Sequence, residues 1–299
     1  MSNEDSMQTR NVVRMCWRRA IAGLVLAMLL APGCGPKPQT ESTPKPAPPI
    51  DSSPAKAAAP REVTVAAASD LKFALEEIIA AFEKEHTDIR VKVTYGSSGN
   101  FFAQLSQKAP FDLYLSADID YPRKLIAQEL AIKESEFAYA VGHIVVWVPK
   151  ESPLKVEDHG IETLLDPAVH KIAIANPKVA PYGRAAEAAL KKLGVYEQVE
   201  ARLVFGENIA QTAQFVETGA ADIGIIALSL AMAPVLREKG RYWKVPTDAY
   251  PPLEQGGAIL SWARDREATE QLRAFMLADF GRAILARYGF GVPDEARSQ

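Results

Sequence analysis

Cysteine is scarce in this chain, and its placement excludes whole classes of chemistry. Two of the 299 residues are cysteine, Cys16 and Cys34, and both precede the part of the sequence in which strand-like and helix-like patterns alternate. A disulfide framework, a cysteine zinc site and a cysteine nucleophile are therefore excluded from that part. The four histidines are scattered through polar segments, and none pairs with another at the spacing typical of metal ligands.

The sequence also has no surplus of positive charge and no recognisable catalytic motif. Its 34 basic and 37 acidic residues give a net charge of -3, which argues against nucleic-acid binding. A phosphate-binding loop with its lysine and a nucleophile elbow are both absent. A mildly acidic protein of this kind would have to bind an anion through local dipoles, because its overall field is slightly repulsive.

Long hydrophobic runs are missing, and the longest apolar stretch lies near the N-terminus. Residues 21–31 follow Arg18 and Arg19 and stop shortly before Cys34. This run is shorter than the roughly 20 residues that span a bilayer, and it is typical of a secretory signal. We predict that residues 1–33 are a signal peptide. The segment resembles a lipoprotein signal with Cys34 as the lipidated residue, and a plain cleaved signal is the alternative.

A polar, proline-rich stretch separates this signal from the rest of the chain. Residues 34–60 contain Pro, Ala, Ser and Thr but few large apolar side chains, so they cannot bury enough surface to fold. We predict an extended, lipid-anchored tether. Because Glu4 and Asp5 are unusual in a signal, translation from Met15 is an alternative start.

Strand-like and helix-like patterns alternate from Arg61 onward. Residues 89–95 alternate apolar and polar side chains, which predicts a half-buried strand, and helices are predicted at 100–108, 184–193 and 209–217. Such alternation predicts an α/β fold with mostly parallel sheets, in which ligands bind beyond the carboxyl ends of the strands. The other strand predictions are at 63–68, 112–116, 144–148, 171–175, 202–205, 223–227 and 258–262.

Four short segments place small or amide-bearing residues where a helix is predicted to begin. The N-terminus of a helix carries unpaired N–H groups and about half a positive charge, so it binds anions without lysine or arginine. Four such ends directed at one point would enclose a small anion with several oxygens. The segments are Ser69-Asp70 in AAASDL, Ser98-Gly99 in YGSSGN, Tyr182-Gly183 in APYGRAA and Asn208-Ile209 in GENIAQ.

The order of several motifs resembles that of the periplasmic molybdate-binding proteins of ABC transporters. The motifs are AAASDL, YGSSGN, APFDLYLSAD, NPKVAPYGRAAEAAL, GADIGIIALSLA and ARYGF, and they cover residues 61–293. The resemblance implies an α/β, two-lobed type II periplasmic binding protein fold with a ligand cleft between the lobes. It places lobe one at residues 61–142 and 247–299 and lobe two at residues 143–246.

The resemblance also implies which residues hold a tetrahedral oxyanion. Ser69 and Ser98 would each donate a hydroxyl and a backbone N–H, and Tyr182 and Ile209 would donate backbone N–H groups. Molybdenum would then be present only as the bound oxyanion, without a direct protein ligand. No cofactor is implied.

One position departs from the pattern of the family. Some members carry a tyrosine whose hydroxyl reaches the anion, and Ala227 stands at that position here. The missing donor would be replaced by the Asp70 N–H or by the Tyr182 side chain. The Asp70 carboxylate is expected to turn away from the anion, towards the first turn of its helix.

The N-terminal signal predicts an exported, membrane-anchored protein, and the resemblance implies that this protein is a monomer that captures molybdate or tungstate. It would deliver this ligand to an ABC permease and its ATPase, at the periplasmic or cell-surface face, and would be neither an enzyme nor a nucleic-acid binder. A binding protein for another oxyanion such as sulfate, or an anion-sensing domain, is the alternative. An enzyme on the same fold would need a base or nucleophile in the cleft, and the sequence supplies no such set.

Overall fold

The computed structural model describes residues 60–293. The predicted signal peptide, the tether up to residue 59 and the predicted lipidation site Cys34 lie outside the described residues. Within the described part, no helix has the length and apolar character that crossing a membrane requires.

Ten strands lie within the described residues, and they form two five-stranded sheets. They are β1 (Arg61–Ala68), β2 (Ile89–Gly96), β3 (Leu113–Ser116), β4 (Phe137–Gly142), β5 (Ile144–Pro149), β6 (Ile172–Ala175), β7 (Leu203–Gly206), β8 (Ile223–Ala227), β9 (Gly240–Lys244) and β10 (Leu253–Ile259).

Helices connect most of these strands. They are α1 (Lys72–Glu85), α2 (Ser98–Leu105), α3 (Asp120–Ala127), α4 (Val156–His159), α5 (Pro181–Lys192), α6 (Tyr196–Val199), α7 (Ile209–Glu217), α8 (Leu228–Ala231), α9 (Pro234–Arg237), α10 (Arg266–Leu277) and α11 (Asp279–Arg287). Short 3-10 turns are also present at Ser69–Leu71, Lys133–Ser135, Gly160–Leu165, Glu200–Arg202 and Thr247–Ala249.

The two sheets share one pattern of pairing. The first has the order β2-β1-β3-β10-β4, in which β1 pairs in parallel with β2 and β3, and β10 pairs antiparallel with β3 and β4. The second has the order β7-β6-β8-β5-β9, in which β6 takes the place of β1 and β5 that of β10. Each sheet and its helices form one lobe. The chain passes from the first sheet to the second between β4 and β5, and it returns between β9 and β10.

The burial of each strand follows its place in the sheet. Interior strand β1 is buried throughout its second half, because helices cover both faces of the sheet there. Edge strand β2 alternates between exposed side chains and side chains that are buried or half-buried, as predicted for residues 89–95. In the second lobe, Trp147 on β5 and Ile174 on β6 belong to one fully buried cluster.

Several boundaries differ from the sequence predictions. Helix α2 begins at Ser98 rather than at residue 100, and α5 begins at Pro181 rather than at residue 184, because proline suits the first position of a helix. The strand predicted at 258–262 runs instead from Leu253 to Ile259. Strands β4 and β9 had not been predicted, since their side chains carry little periodic signal.

Candidate functional site

Four helix starts from the two lobes converge on one small cavity, whose volume of about 10 Å³ is close to that of a single water site. All five residues predicted to bind the oxyanion line it, and they follow the carboxyl ends of parallel strands. Their role in binding stays a prediction. The lining residues are Ala68, Ser69, Asp70, Gly96, Ser97, Ser98, Ala117, Ala180, Pro181, Tyr182 and Ile209.

Ser69 follows β1 and connects the two lobes. Its side chain is 2% exposed, and its hydroxyl donates to Asn208 Oδ1 across the cleft at 3.1 Å. The backbone N–H of Ala210 donates to the same hydroxyl oxygen at 3.3 Å. The Ser69 hydroxyl therefore lies directly at the N-terminus of α7, where an anion is stabilised.

Ser98 is the first residue of α2, and its hydroxyl is oriented by a backbone donor. The N–H of Ala117 donates to Ser98 Oγ at 3.0 Å, so the Ser98 hydroxyl proton remains for another acceptor. The preceding Ser97 is the N-cap of α2 and is 4% exposed. Its hydroxyl has no hydrogen-bond partner within the described residues. Sequence reasoning had not selected Ser97, although both serines stand in the same GSSG motif.

Ile209 is the first residue of α7 and is presented by an asparagine cap. Asn208 Oδ1 accepts from the N–H groups of Ala210 and Gln211, each at 3.0 Å. Gln211 Oε1 in turn accepts from the N–H of Glu207, which resembles a capping box shifted by one residue. The N–H of Ile209 takes no part in this cap, and it is one of the orphan donors of the helix end.

Tyr182 is the second residue of α5, and its side chain reaches across the cleft to lobe one. Its hydroxyl donates to Asp70 Oδ2 at 3.0 Å. Gln255 on β10 donates from Nε2 to Asp70 Oδ2 at 2.6 Å and to the Tyr182 hydroxyl at 3.0 Å. Burial, and then the charge of Asp70, raise the pKa of Tyr182 well above 10, so this phenol is neutral. In this arrangement the Tyr182 hydroxyl is committed to Asp70.

The Asp70 carboxyl is buried, which the sequence interpretation had not anticipated. The residue is 1% exposed, and burial raises its pKa to about 6, although hydrogen bonds from Gln255 and Tyr182 favour the charged form. The backbone N–H groups of Asp70 and Leu71 also favour the charged form and so lower the pKa of this carboxyl. Neither of them makes a hydrogen bond of normal geometry to Oδ1. The carboxyl also accepts a hydrogen bond from Tyr182 of the opposite lobe, so it does not only face its own helical turn.

Ala227, which departs from the family pattern, ends β8 and is fully buried. It is not among the residues that line the cavity. Within residues 60–293, no group of three or more His, Cys, Asp or Glu side chains could hold a metal ion.

Two further contacts cross the cleft beside the cavity. Arg184 on α5 forms an ion pair with Asp118 at 2.5 Å, and it also donates to the Tyr121 hydroxyl at 3.2 Å. The N–H of Gly99 donates to the carbonyl oxygen of Val179 at 2.9 Å. These bonds join residues of lobe one to residues of lobe two, so the structure represents lobes in contact.

Comparison with known proteins identifies the family. A family model described as bacterial extracellular solute-binding protein matches residues 63–291. The chain is 37% identical over 233 residues to the molybdate-binding protein ModA of Rhodobacter capsulatus, covering 78% of this chain and 89% of that protein. It is 38% identical over 236 residues to the molybdate-binding protein ModA of Azotobacter vinelandii, covering 79% and 92%.

A solved structure agrees with the sequence relatives. The Azotobacter vinelandii periplasmic molybdate-binding protein superposes with a TM-score of 0.72 and 31% sequence identity, covering 77% of this chain and 99% of that one. The predicted two-lobed α/β fold of the periplasmic binding proteins is thereby confirmed. The chain belongs to the bacterial extracellular solute-binding protein family.

Proposed function

We propose that this protein captures molybdate or tungstate outside the cytoplasm and delivers it to an ABC permease and its ATPase. One observation carries the proposal: the five residues selected from the sequence line a single cavity between the lobes. The names of the two relatives that are 37% and 38% identical support molybdate as the ligand. Tungstate is included because its charge, size and shape are nearly those of molybdate.

The donors around the cavity suit a fully ionised oxyanion. The proposed donors are all neutral: the hydroxyl of Ser98, the backbone N–H groups at Tyr182 and Ile209, and the hydroxyl of Ser69 once it turns from Asn208 Oδ1 to the anion. A hydrogen bond to a charged group contributes ~1.5–3 kcal/mol, and submicromolar binding needs ~8 kcal/mol or more. Several such bonds therefore suffice, provided that they also offset the desolvation of the anion.

Capture would act through closure of the lobes. Ser69 and Ser98 belong to the first sheet's lobe, and Tyr182 and Ile209 to the second, so an anion bonded to all four favours the closed state. We place lobe one at residues 61–142 and 247–299 and lobe two at residues 143–246. The change of sheet after β4 and again before β10 supports these bounds.

The export and anchoring proposals rest on the sequence. The apolar run of residues 21–31 after two arginines supports a signal peptide over residues 1–33, and Cys34 directly after it supports lipidation. Residues 34–60 would then hold a monomeric binding protein at the membrane surface. Under this proposal the protein is a carrier rather than an enzyme, since its relatives are named as binding proteins.

The test is a calorimetric titration of the purified full-length chain with molybdate, tungstate, sulfate and phosphate. Submicromolar binding of molybdate and tungstate, with sulfate and phosphate at least 100-fold weaker, is the expected result. A preference for sulfate or phosphate would keep the fold and overturn the ligand. Absence of binding to all four anions would favour a sensory or enzymatic role on the same fold.

A further inference from the structure

The wall of the anion cavity contains a carboxyl group, which is unexpected for a site that binds negative charge. Asp70 lines the cavity and is 1% exposed. Its Oδ2 accepts from Tyr182 and Gln255, at 3.0 and 2.6 Å, whereas its Oδ1 has no hydrogen-bond partner among the described residues. Ser97 Oγ is a second buried atom without a partner there, and it lines the same cavity.

Buried polar atoms are nearly always hydrogen-bonded, so two orphans in one cavity wall call for partners outside the chain, either water or a ligand. The Ser97 hydroxyl can donate to an anion without any change of state. An ionised Asp70 cannot, because its oxygens and those of a fully ionised oxyanion are all acceptors. A hydrogen bond between them requires one proton, and without it two like charges meet in a site removed from water.

We propose that binding of the dianion is coupled to uptake of one proton by Asp70, so that Oδ1 becomes a hydroxyl donor to the bound oxyanion. This inference rests on the proposed function, since it requires a doubly charged ligand in this cavity. The proton comes from solvent and forms an O–H bond on the carboxyl. No other bond is made or broken.

Among the side chains packed around Asp70, its own carboxyl is the one that can take up the proton. Tyr182 on α5 and Tyr139 on β4 both have a pKa well above 10, in each case chiefly because of burial and then because of the Asp70 charge. Gln255 on β10 does not titrate, and Ser229 on α8 donates its hydroxyl to the backbone oxygen of Asp70.

Two other titratable side chains belong to segments beside this cluster. Lys72 is two residues beyond Asp70 and lines the groove beside the cavity, together with Ser69. His143 follows Gly142, and a side chain on Gly142 would collide with the Tyr182 hydroxyl and Gln255. Because histidine commonly titrates between pH 5 and 8, His143 provides the necessary control.

The sign of the pH dependence follows from linkage. Without ligand, burial raises the pKa of Asp70 to about 6, so the carboxyl is mainly ionised at pH 7.5. A bound dianion adds like charge and raises this pKa further. Because binding requires this proton, the affinity for the dianion falls as the pH rises above 6, by up to about tenfold per pH unit.

The experiment is calorimetric titration of the full-length chain with sodium molybdate at pH 7.5, in buffers that differ in ionisation enthalpy. The dependence of the heat on the buffer gives the number of protons taken up, which we expect to be close to one. The apparent Kd should rise roughly tenfold between pH 6.5 and 7.5. For Asp70→Asn, which keeps the shape but not the charge, we expect almost no uptake, a flat pH profile and tighter binding than the unsubstituted protein at pH 8. His143→Gln should retain the uptake.

The possible failures are distinguishable. Tight molybdate binding by the unsubstituted chain without proton uptake would overturn this inference and leave the proposed function intact. Uptake that disappears in His143→Gln would assign the proton to the histidine, which also overturns it. No binding of molybdate at any pH would overturn the proposed function itself. The measurement on the unsubstituted chain needs no variant, so a folding defect in Asp70→Asn does not remove the test.

Discussion

The two lobes have the same sheet pattern but contribute different chemistry to the cavity. Lobe one supplies serine side chains at the starts of a 3-10 turn and of α2, whereas lobe two supplies the starts of α5 and α7, where Tyr182 and Ile209 stand. Hydroxyl donors depend on the identity of the residue. Backbone donors depend only on where the helix begins, and many side chains are compatible with them.

Lobe two positions the start of α5 through close packing of the backbone. Gly183 lies so near the carbonyl of Ala175 that a Cβ at this position would collide with it. The start of α5 can thus approach the end of β6 directly. Lobe one instead orients a side chain by hydrogen bonding, as the N–H of Ala117 does for Ser98.

Removing a hydroxyl from lobe one should produce the largest effect on binding. On the proposed function, Ser98→Ala removes a donor to the anion, and it also leaves the buried Ala117 N–H without its acceptor. We therefore expect the Kd for molybdate to rise about 100-fold, from the ~1.5–3 kcal/mol of a charged hydrogen bond. Calorimetric titration measures it. The matched control is Ser106→Ala, at the other end of α2, whose hydroxyl donates to Phe102 O. An unchanged Kd for Ser98→Ala would show that lobe one does not bind through hydroxyls.

At Ile209 in lobe two, the side chain should contribute less to anion binding than the backbone N–H does. Proline suits the first position of a helix, and Asn208 before it is already extended, so Ile209→Pro removes the N–H and keeps α7. We expect the Kd to rise about tenfold, from the loss of one charge-assisted bond. Ile209→Val retains the N–H and should bind within twofold of the unsubstituted protein. Equal losses in both variants would contradict a backbone-only role, and circular dichroism would verify that the helix remains.

The smallest effect is expected at the ion pair that joins the lobes outside the cavity. Arg184 and Asp118 have side chains that are 41% and 27% exposed, and exposed ion pairs contribute ~0–1 kcal/mol. Asp118→Asn should therefore raise the Kd about two- to fourfold, and less at high salt. Asp120→Asn is the control, because Asp120 pairs with Arg123 within lobe one. If Asp120→Asn weakened binding more than Asp118→Asn does, the loss of affinity would not come from lobe closure.

Much of the fold was accessible from local signals. The proline before Tyr182 and the asparagine before Ile209 are helix-start signals, and the alternation in β2 reports a half-buried edge strand. Strands β4 and β9 were missed because their burial is set by neighbours that are distant in sequence. The predicted starts of α2 and α5 were too late by two and three residues.

The sequence by itself located the helices of the site to within three residues of where they begin, because capping residues act within a few positions of the helix end that they stabilise. The order of its motifs also indicated the family. Only the tertiary structure decided that Asp70 lies against Tyr182 and Gln255, which are 112 and 185 residues away along the chain. The pKa of a carboxyl depends on burial and on partners in space, and neither is encoded next to it. The charge that this cavity presents to its ligand was therefore set by packing of the two lobes.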